Sequence, residues 1–224
     1  VGSRVADDAG FAVLTRGDAK AMLRYPRFRF RPSQADALHL DLWVGDENLL
    51  RDGGSCSYAD GRALEYFAGV GSHNTIQFDG RDQMPRLSRF LFGDWLRTSI
   101  LEPLSETDSV VTFGAAYRDG AGSAHMRRVR LEADRMSVSD DVSGFGRSAV
   151  LRWRLAPGDW RLQDGCRLVC GERTISLSAT VPIVRCELVE GQESRHYLEQ
   201  TSLPVLEVEV AAPCVLTTQV RWRT

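Results

Sequence analysis

Apolar and polar residues alternate with a period of two in short runs along most of this chain, and Gly, Asp, Asn and Pro clusters separate the runs. That rhythm predicts strands. Residues 37–44 read A-L-H-L-D-L-W-V, which places Leu38, Leu40 and Leu42 on one face and His39, Asp41 and Trp43 on the other. Gly45, Asp46, Glu47 and Asn48 then supply turn chemistry, and Leu49 and Leu50 begin a return strand. Residues 126–133, 149–155, 174–179, 182–189, 205–210 and 214–222 continue the series. Only residues 85–104 depart from it, because Leu87, Phe90, Leu91 and Trp95 are spaced nearly as on a helix. A short helix or an irregular excursion is expected there. The pattern predicts an all-β fold, a large antiparallel two-layer β-sandwich with at most one short helix, and 224 residues suit one such domain over 1–224.

Composition narrows the function. With 43% hydrophobic and 26% charged residues the chain has a soluble globular make-up, and no apolar run is long enough to span a bilayer. A formal net charge of −2 provides no basic field for nucleic acid. Lys20 is the single lysine, so nearly all positive charge is guanidinium, which forks onto carboxylate or sulfate. The five cysteines have no metal-type spacing, and Cys166 and Cys170 on one strand would sit about 13 Å apart, beyond a bridge. Buried free thiols are expected. The opening VGSRVADDAG has no signal-peptide pattern, so an export signal would belong to a longer parent chain. No phosphate loop or serine-elbow motif is present in the sequence.

Residues 31–89 carry the densest candidate chemistry. Asp52 precedes Gly53 and Gly54 at a strand end, where glycines permit close approach of another segment or a ligand. His73 and Asn74 lead into a strand over 75–78. Read alone, Asp52 is a turn carboxylate rather than a ligand and His73 a hydrogen-bonded structural histidine. His39 and His125 alternate with apolar strand residues and read as structural.

In order along this stretch stand Ala35-Asp36-Ala37-Leu38, then Leu50-Arg51-Asp52-Gly53-Gly54-Ser55-Cys56-Ser57-Tyr58, then Tyr66-Phe67, then Ser72-His73-Asn74-Thr75-Ile76 leading to Asp79-Gly80-Arg81-Asp82-Gln83. The set resembles the sandwich domain of heparinase II/III-like polysaccharide lyases, with its H-x-H-A-D-x-L, L-x-D-x-G-x-x-S-Y and A-H-N-T-V-x-x-D-G-x-x-Q pieces. Residues 125–128, 139–141 and 194–197 are similar to the family's later strands, so the resemblance covers most of the chain.

The resemblance implies cleavage of an acidic, uronic-acid-containing polysaccharide by β-elimination, with an N-terminal α/α toroid supplying much of the chemistry. The isolated sandwich is then expected to be inactive or nearly so. It implies Tyr58 and Tyr66 as proton-transfer candidates and Asn74, Arg51, Arg81 and Arg86 as substrate contacts. The zinc that some members hold falls on Gln34, Asp52 and His73. Because Gln34 stands where the family has a histidine, that site should be weakened or empty. The family's substrate-facing histidine falls on Pro32, which transfers no proton. A non-catalytic carbohydrate-binding or assembly module of an exopolysaccharide system is the alternative. The substrate class points to a periplasmic or extracellular protein.

Overall fold

A computed structural model describes residues 2–222. The chain opens with a five-stranded antiparallel meander, β1 (Arg4–Ala6), β2 (Phe11–Arg16), β3 (Ala19–Arg24), β4 (Leu40–Val44) and β5 (Glu47–Leu50), paired in that order. After the helix α1 (Gly61–Ala68) come β6 (Ile76–Phe78) and a small hairpin, β7 (Arg86–Ser88) with β8 (Leu91–Phe92). The long strands follow: β9 (Arg97–Glu106), β10 (Val111–Arg118), β11 (Ala124–Leu131), β12 (Arg135–Ser143) and β13 (Ala149–Arg154). The last are β14 (Arg161–Gln163), β15 (Arg167–Cys170), β16 (Arg173–Ala179), β17 (Ile183–Glu193), β18 (Thr201–Val210) and β19 (Cys214–Arg221).

Eight of these form one sheet in the order β14-β15-β16-β19-β12-β11-β10-β9, and four form another in the order β17-β18-β13-β6. The four-stranded sheet joins the first meander through the main chain, since Arg51 N–H donates to Arg154 O at 2.9 Å and Ala156 N–H to Leu49 O at 2.9 Å. The joined sheets make one layer and the eight-stranded sheet the other. Between them lies a core that draws Leu14, Leu23 and Leu42 from the meander, Phe113, Leu131 and Val220 from the large sheet, and Leu151 and Leu206 from the small one. The fold is therefore an all-β, antiparallel, two-layer sandwich with one short helix.

Alternation explains the long strands. In β12 Met136, Val138, Asp140 and Val142 face inward and their neighbours do not. The buried Asp140 is matched by Arg127 of β11, which reaches it through Nε at 2.6 Å and Nη2 at 3.1 Å and lies over the Trp153 ring of the opposite layer. Arg127 Nη1 also donates to the carbonyls of Leu38 and Asn74, each at 2.6 Å. A desolvated guanidinium thus ties the large sheet to the two segments that carry the candidate site.

Two sequence expectations are corrected. Of the two readings of residues 85–104 the helix fails and the excursion holds: Gly93 N–H donates to Pro85 O at 2.8 Å and closes the separate β7–β8 hairpin, after which β9 begins. Leu87, Phe90 and Trp95 do not form a buried stripe, for all three are exposed. The helix lies earlier, where Asp60 accepts from the N–H groups of Arg62 (2.8 Å) and Ala63 (3.3 Å) and so caps the first turn. The cysteines are not all free either. Cys166 and Cys186 form a disulfide with Cα atoms 6.0 Å apart, a pairing between sheets that strand spacing along one chain segment does not reveal. Cys56, Cys170 and Cys214 remain thiols.

Candidate functional site

The site begins at the end of β5, where the chain leaves the sheet and turns back on itself. Asp52 Oδ1 accepts the Gly54 N–H at 2.7 Å, Gly53 N–H donates to Ser72 O at 2.9 Å, and Ser194 N–H donates to Gly53 O at 2.8 Å. Gly54 holds a φ of +80°, and a Cβ there would stand 2.0 Å from Ser194 O, so only glycine lets the 194–200 segment lie against 53–58. This turn delivers the second carboxylate oxygen of Asp52 to Nδ1 of His73 at 2.7 Å. Nε2 of His39 lies 3.5 Å from the same oxygen, and the two imidazoles meet edge to face with centroids 5.6 Å apart.

His39 enters the cluster because Leu38, at φ +58°, interrupts the strand alternation and turns the next side chain inward. This corrects the sequence set. The place beside Asp52 and His73 that was assigned to Gln34 is taken by His39, while Gln34 is half-buried before the turn. The signal was a histidine inside an otherwise apolar run, and strand periodicity alone concealed it.

Burial and charge fix the ionisation of these groups. Desolvation pushes Asp52 up, but the His73 ring and the Gly54 N–H outweigh it and hold the carboxyl well below its usual range. For His73 burial lowers the affinity for a proton, and the Asp52 carboxylate outweighs that and raises it. Burial dominates at His39 and depresses it to about 3. Asp52 and His73 therefore form a charged pair beside a neutral imidazole.

Two imidazoles and a carboxylate, with ligand atoms within 4.8 Å of one another, are the right donor types for zinc. Their proton arrangement does not suit it. Nδ1 of His39 accepts the buried Asn74 N–H at 2.9 Å, so the neutral ring carries its proton on Nε2, the nitrogen turned toward Asp52. A zinc-bound histidine needs a bare nitrogen toward the metal and donates from the other. The positive charges of Arg127 and Arg154 also bear on His39. As arranged, the residues do not fit zinc.

The other sequence candidates separate into structural and accessible groups. Asn74 is fully buried, and its amide is engaged in the fold: Nδ2 donates to Leu40 O (2.9 Å) and Arg51 O (3.2 Å), and Oδ1 accepts the Arg154 N–H (2.7 Å). It cannot also hold substrate, and that expectation is corrected. Arg51 is buried against Glu193 at 2.8 Å, with Nε on Asn48 O, so it too is a framework residue. Arg81 pairs with Asp119 at 2.7 Å and with Ser123 at 2.8 Å. Arg86 lies over the Phe92 ring and lines a cleft of about 420 Å³ together with Arg81.

Both tyrosines are accessible. Tyr66, on α1, is 40% exposed, and its hydroxyl accepts the Gln192 N–H at 2.9 Å. It stands at a cleft of about 210 Å³ that Arg152 and Arg154 also line. Arg154 is buried, donates to the carbonyls of Gly71 and Gln192, and leaves Nε without a partner. Strand alternation in β13 reads Arg154 as outward, so the sequence offered no sign of it. Tyr58 lies near Phe90 and Tyr197, also exposed.

The antiparallel two-layer sandwich is similar in fold to solved heparinases. It superposes on the heparinase III BT4657 gene product with a TM-score of 0.84 at 16% identity, covering 98% of this chain and 36% of that one. On the heparan sulfate lyase HepC from Pedobacter heparinus the TM-score is 0.78 at 15% identity, with 99% and 36% covered. The sequence profile described as Heparinase II/III-like, C-terminal, matches residues 2–202, and the chain belongs to that family. It is a C-terminal domain of heparinase II/III-like polysaccharide lyases, spanning about a third of the length of these solved relatives. A search of curated proteins finds no match.

Proposed function

We propose that this chain is the sandwich half of a lyase that cleaves a uronic-acid-containing acidic polysaccharide by β-elimination, and that it is inactive without a preceding α/α toroid. One observation carries the reading. The Tyr66 hydroxyl accepts a main-chain N–H, so its own proton is directed away from that donor, toward the cleft that Arg152, Arg154, Glu190 and Glu207 line, where Arg152 is paired with Glu207 at 2.6 Å.

Elimination removes the proton on the carbon beside the uronate carboxylate and returns one to the departing glycosidic oxygen. The first step needs positive charge or hydrogen-bond donors on the carboxylate as negative charge develops. Arg154, buried beneath this cleft and with no carboxylate partner among the described residues, lends it positive charge without touching the sugar, and Tyr66 suits proton transfer. Fully buried His73 does not reach a sugar; it positions Asp52 and, through it, the Gly53–Gly54 turn. The cluster is proposed to do this without zinc, the Asp52–His73 ion pair supplying the charge balance. The domain is proposed to act as one unit over 1–224 in an oxidising compartment, periplasmic or extracellular, where the Cys166–Cys186 bond persists.

A longer protein that includes the toroid should generate the ultraviolet-absorbing unsaturated uronide from a uronate polymer, and the 224-residue chain should not. Tyr66→Phe in that longer protein should lower kcat about 10²–10⁴-fold with a small change in KM. No unsaturated product from alginate, heparan-type or bacterial capsular polymers would sink the reading. A polymer-binding module without elimination chemistry is the second reading, favoured by Pro32 where the family has its substrate-facing histidine; it predicts binding by the longer protein with no product.

A further inference from the structure

Three exposed rings meet beside the Asp52 turn. Tyr58 is 54% exposed and lies between Phe90 (52%) and Tyr197 (58%), with ring centroids 6.4 Å from each. They come from three separate stretches of chain that the fold holds together. Leu198 N–H donates to Cys56 O at 3.0 Å and Gln200 Nε2 to Cys56 Sγ at 3.2 Å, which fixes the Tyr197 segment against the Tyr58 segment. Arg89 donates to the carbonyl of Ala59 while its guanidinium lies 5.7 Å from the centre of the Phe90 ring, which fixes the third. Rings left in water forgo the gain of burial, roughly 25 cal/mol for each Å² of apolar surface, so a built cluster of them is informative.

The surroundings identify what covers it. Arg62, Arg89 and Arg195 lie on the same three stretches or next to them, and none has a carboxylate at ion-pair distance among the described residues. The nearby Asp60 is engaged with the first turn of α1. The Tyr58 and Tyr197 hydroxyls make no hydrogen bond to any described residue. A dry protein interface would leave three guanidiniums and two hydroxyls unmatched. A sugar ring matches them, since its C–H face stacks on an aromatic ring while its hydroxyl and carboxylate groups reach the rim.

We propose that Tyr58, Phe90 and Tyr197 form a stacking platform for an acidic polysaccharide, with Arg89 as its anion contact. The proposal rests on the polymer class given above and adds the surface that holds it. The 192–198 segment runs from the Tyr66 hydroxyl at Gln192, past Gly53 at Ser194, to Tyr197 beside Tyr58. The platform therefore continues the same edge as the Tyr66 cleft and holds the polymer away from the reacting bond. Tyr58 is assigned to stacking and Tyr66 to proton transfer.

The test is affinity electrophoresis of the 224-residue chain through gels containing polygalacturonate, heparin or dextran. Retardation is expected in the two acidic polymers and not in dextran. Tyr197→Ala and Phe90→Ala should each weaken binding about tenfold or more. Arg89→Ala should weaken it and flatten its salt dependence, whereas Tyr197→Phe should retain it. Val184→Ala, an exposed apolar change on β17, should leave binding unchanged. Melting curves establish that each variant is folded. The platform is overturned if the wild type ignores both acidic polymers, or if it binds them and the ring variants bind as well. It is also overturned if the ring variants spare binding but lower the melting temperature of the longer, toroid-containing protein, which would make the patch a domain contact. These outcomes are separate from the absorbance assay, which judges the elimination chemistry alone.

Discussion

Asp41 shows how a single buried carboxyl contributes to the pH dependence of this sandwich's stability. It sits on β4 with Asn48 Nδ2 as its hydrogen-bond donor, and burial, only partly opposed by that bond, pushes it up to about 7. An unfolded aspartate titrates near 3.9, so between about pH 4 and pH 7 the folded state holds a proton that the unfolded state has lost. The contribution is therefore fully present below pH ~4 and is lost as the pH rises through ~7. Asp41→Asn keeps the shape and removes the charge. It should leave stability at pH 4 nearly unchanged and raise it at pH 8 by about 2–4 kcal/mol. Urea unfolding at the two pH values measures this, and an equal effect at both would contradict the account. The His39 tautomer yields a second prediction at this scale. Because the Asn74 N–H occupies Nδ1, chelation by EDTA should not move the melting temperature, and zinc titration by calorimetry should show no micromolar site. A loss of stability in EDTA that zinc restores would show that the ring turns over to accept metal.

Among the elements, those with one face in the core were legible and those shaped by turns were not. β12 and β19 follow strict alternation because each packs one face on the opposite layer; the sequence rhythm located β19 at 214–222, whereas β12 fell outside the runs it picked out. The 85–104 stretch misled because spacing resembles a helix whether or not one face is buried, and Leu87 and Phe90 are in water. Arg154 escaped because both faces of β13 are covered, so alternation no longer separates inside from outside, and His39 because the left-handed Leu38 breaks the alternation just before β4. The residues alone read Asp52 as a turn carboxylate and His73 as a structural histidine, and only the family resemblance put them together, because their meeting depends on a contact 21 residues apart in sequence. The turn itself is testable at Gly54. With a φ of +80° and Ser194 O in the position of a Cβ, Gly54→Ala must displace the 194–200 segment. The cost should be about 2–4 kcal/mol, within the range for strained backbone substitutions. Amide exchange at Ser194 and Leu198, whose N–H groups bond to Gly53 O and Cys56 O, should accelerate more than exchange in β12. Uniform acceleration would show that the segment is not held locally by this contact.

At the scale of the molecule two layers are joined by an apolar core, by the Arg127–Asp140 pair reaching across to Leu38 and Asn74, and by one covalent bond. Cys166 lies in the turn before β15 of the eight-stranded sheet and Cys186 on β17 of the four-stranded sheet, so their bond links the layers across a sequence separation of 20. Closing a loop of that length restricts the unfolded chain and stabilises the fold by about 3 kcal/mol. Reductant should therefore lower the melting temperature, by roughly 6–12 °C for a chain of this size. The Cys166→Ser/Cys186→Ser variant should melt at the lower temperature and be indifferent to reductant. In denaturant without reductant a thiol reagent should count three cysteines, Cys56, Cys170 and Cys214, and five after reduction. Five reactive thiols before reduction would show that the bond does not form, and with it would go the argument for an oxidising compartment. A melting temperature that ignores reductant despite an intact bond would instead mean that the core and the buried Arg127 network alone hold the layers in register.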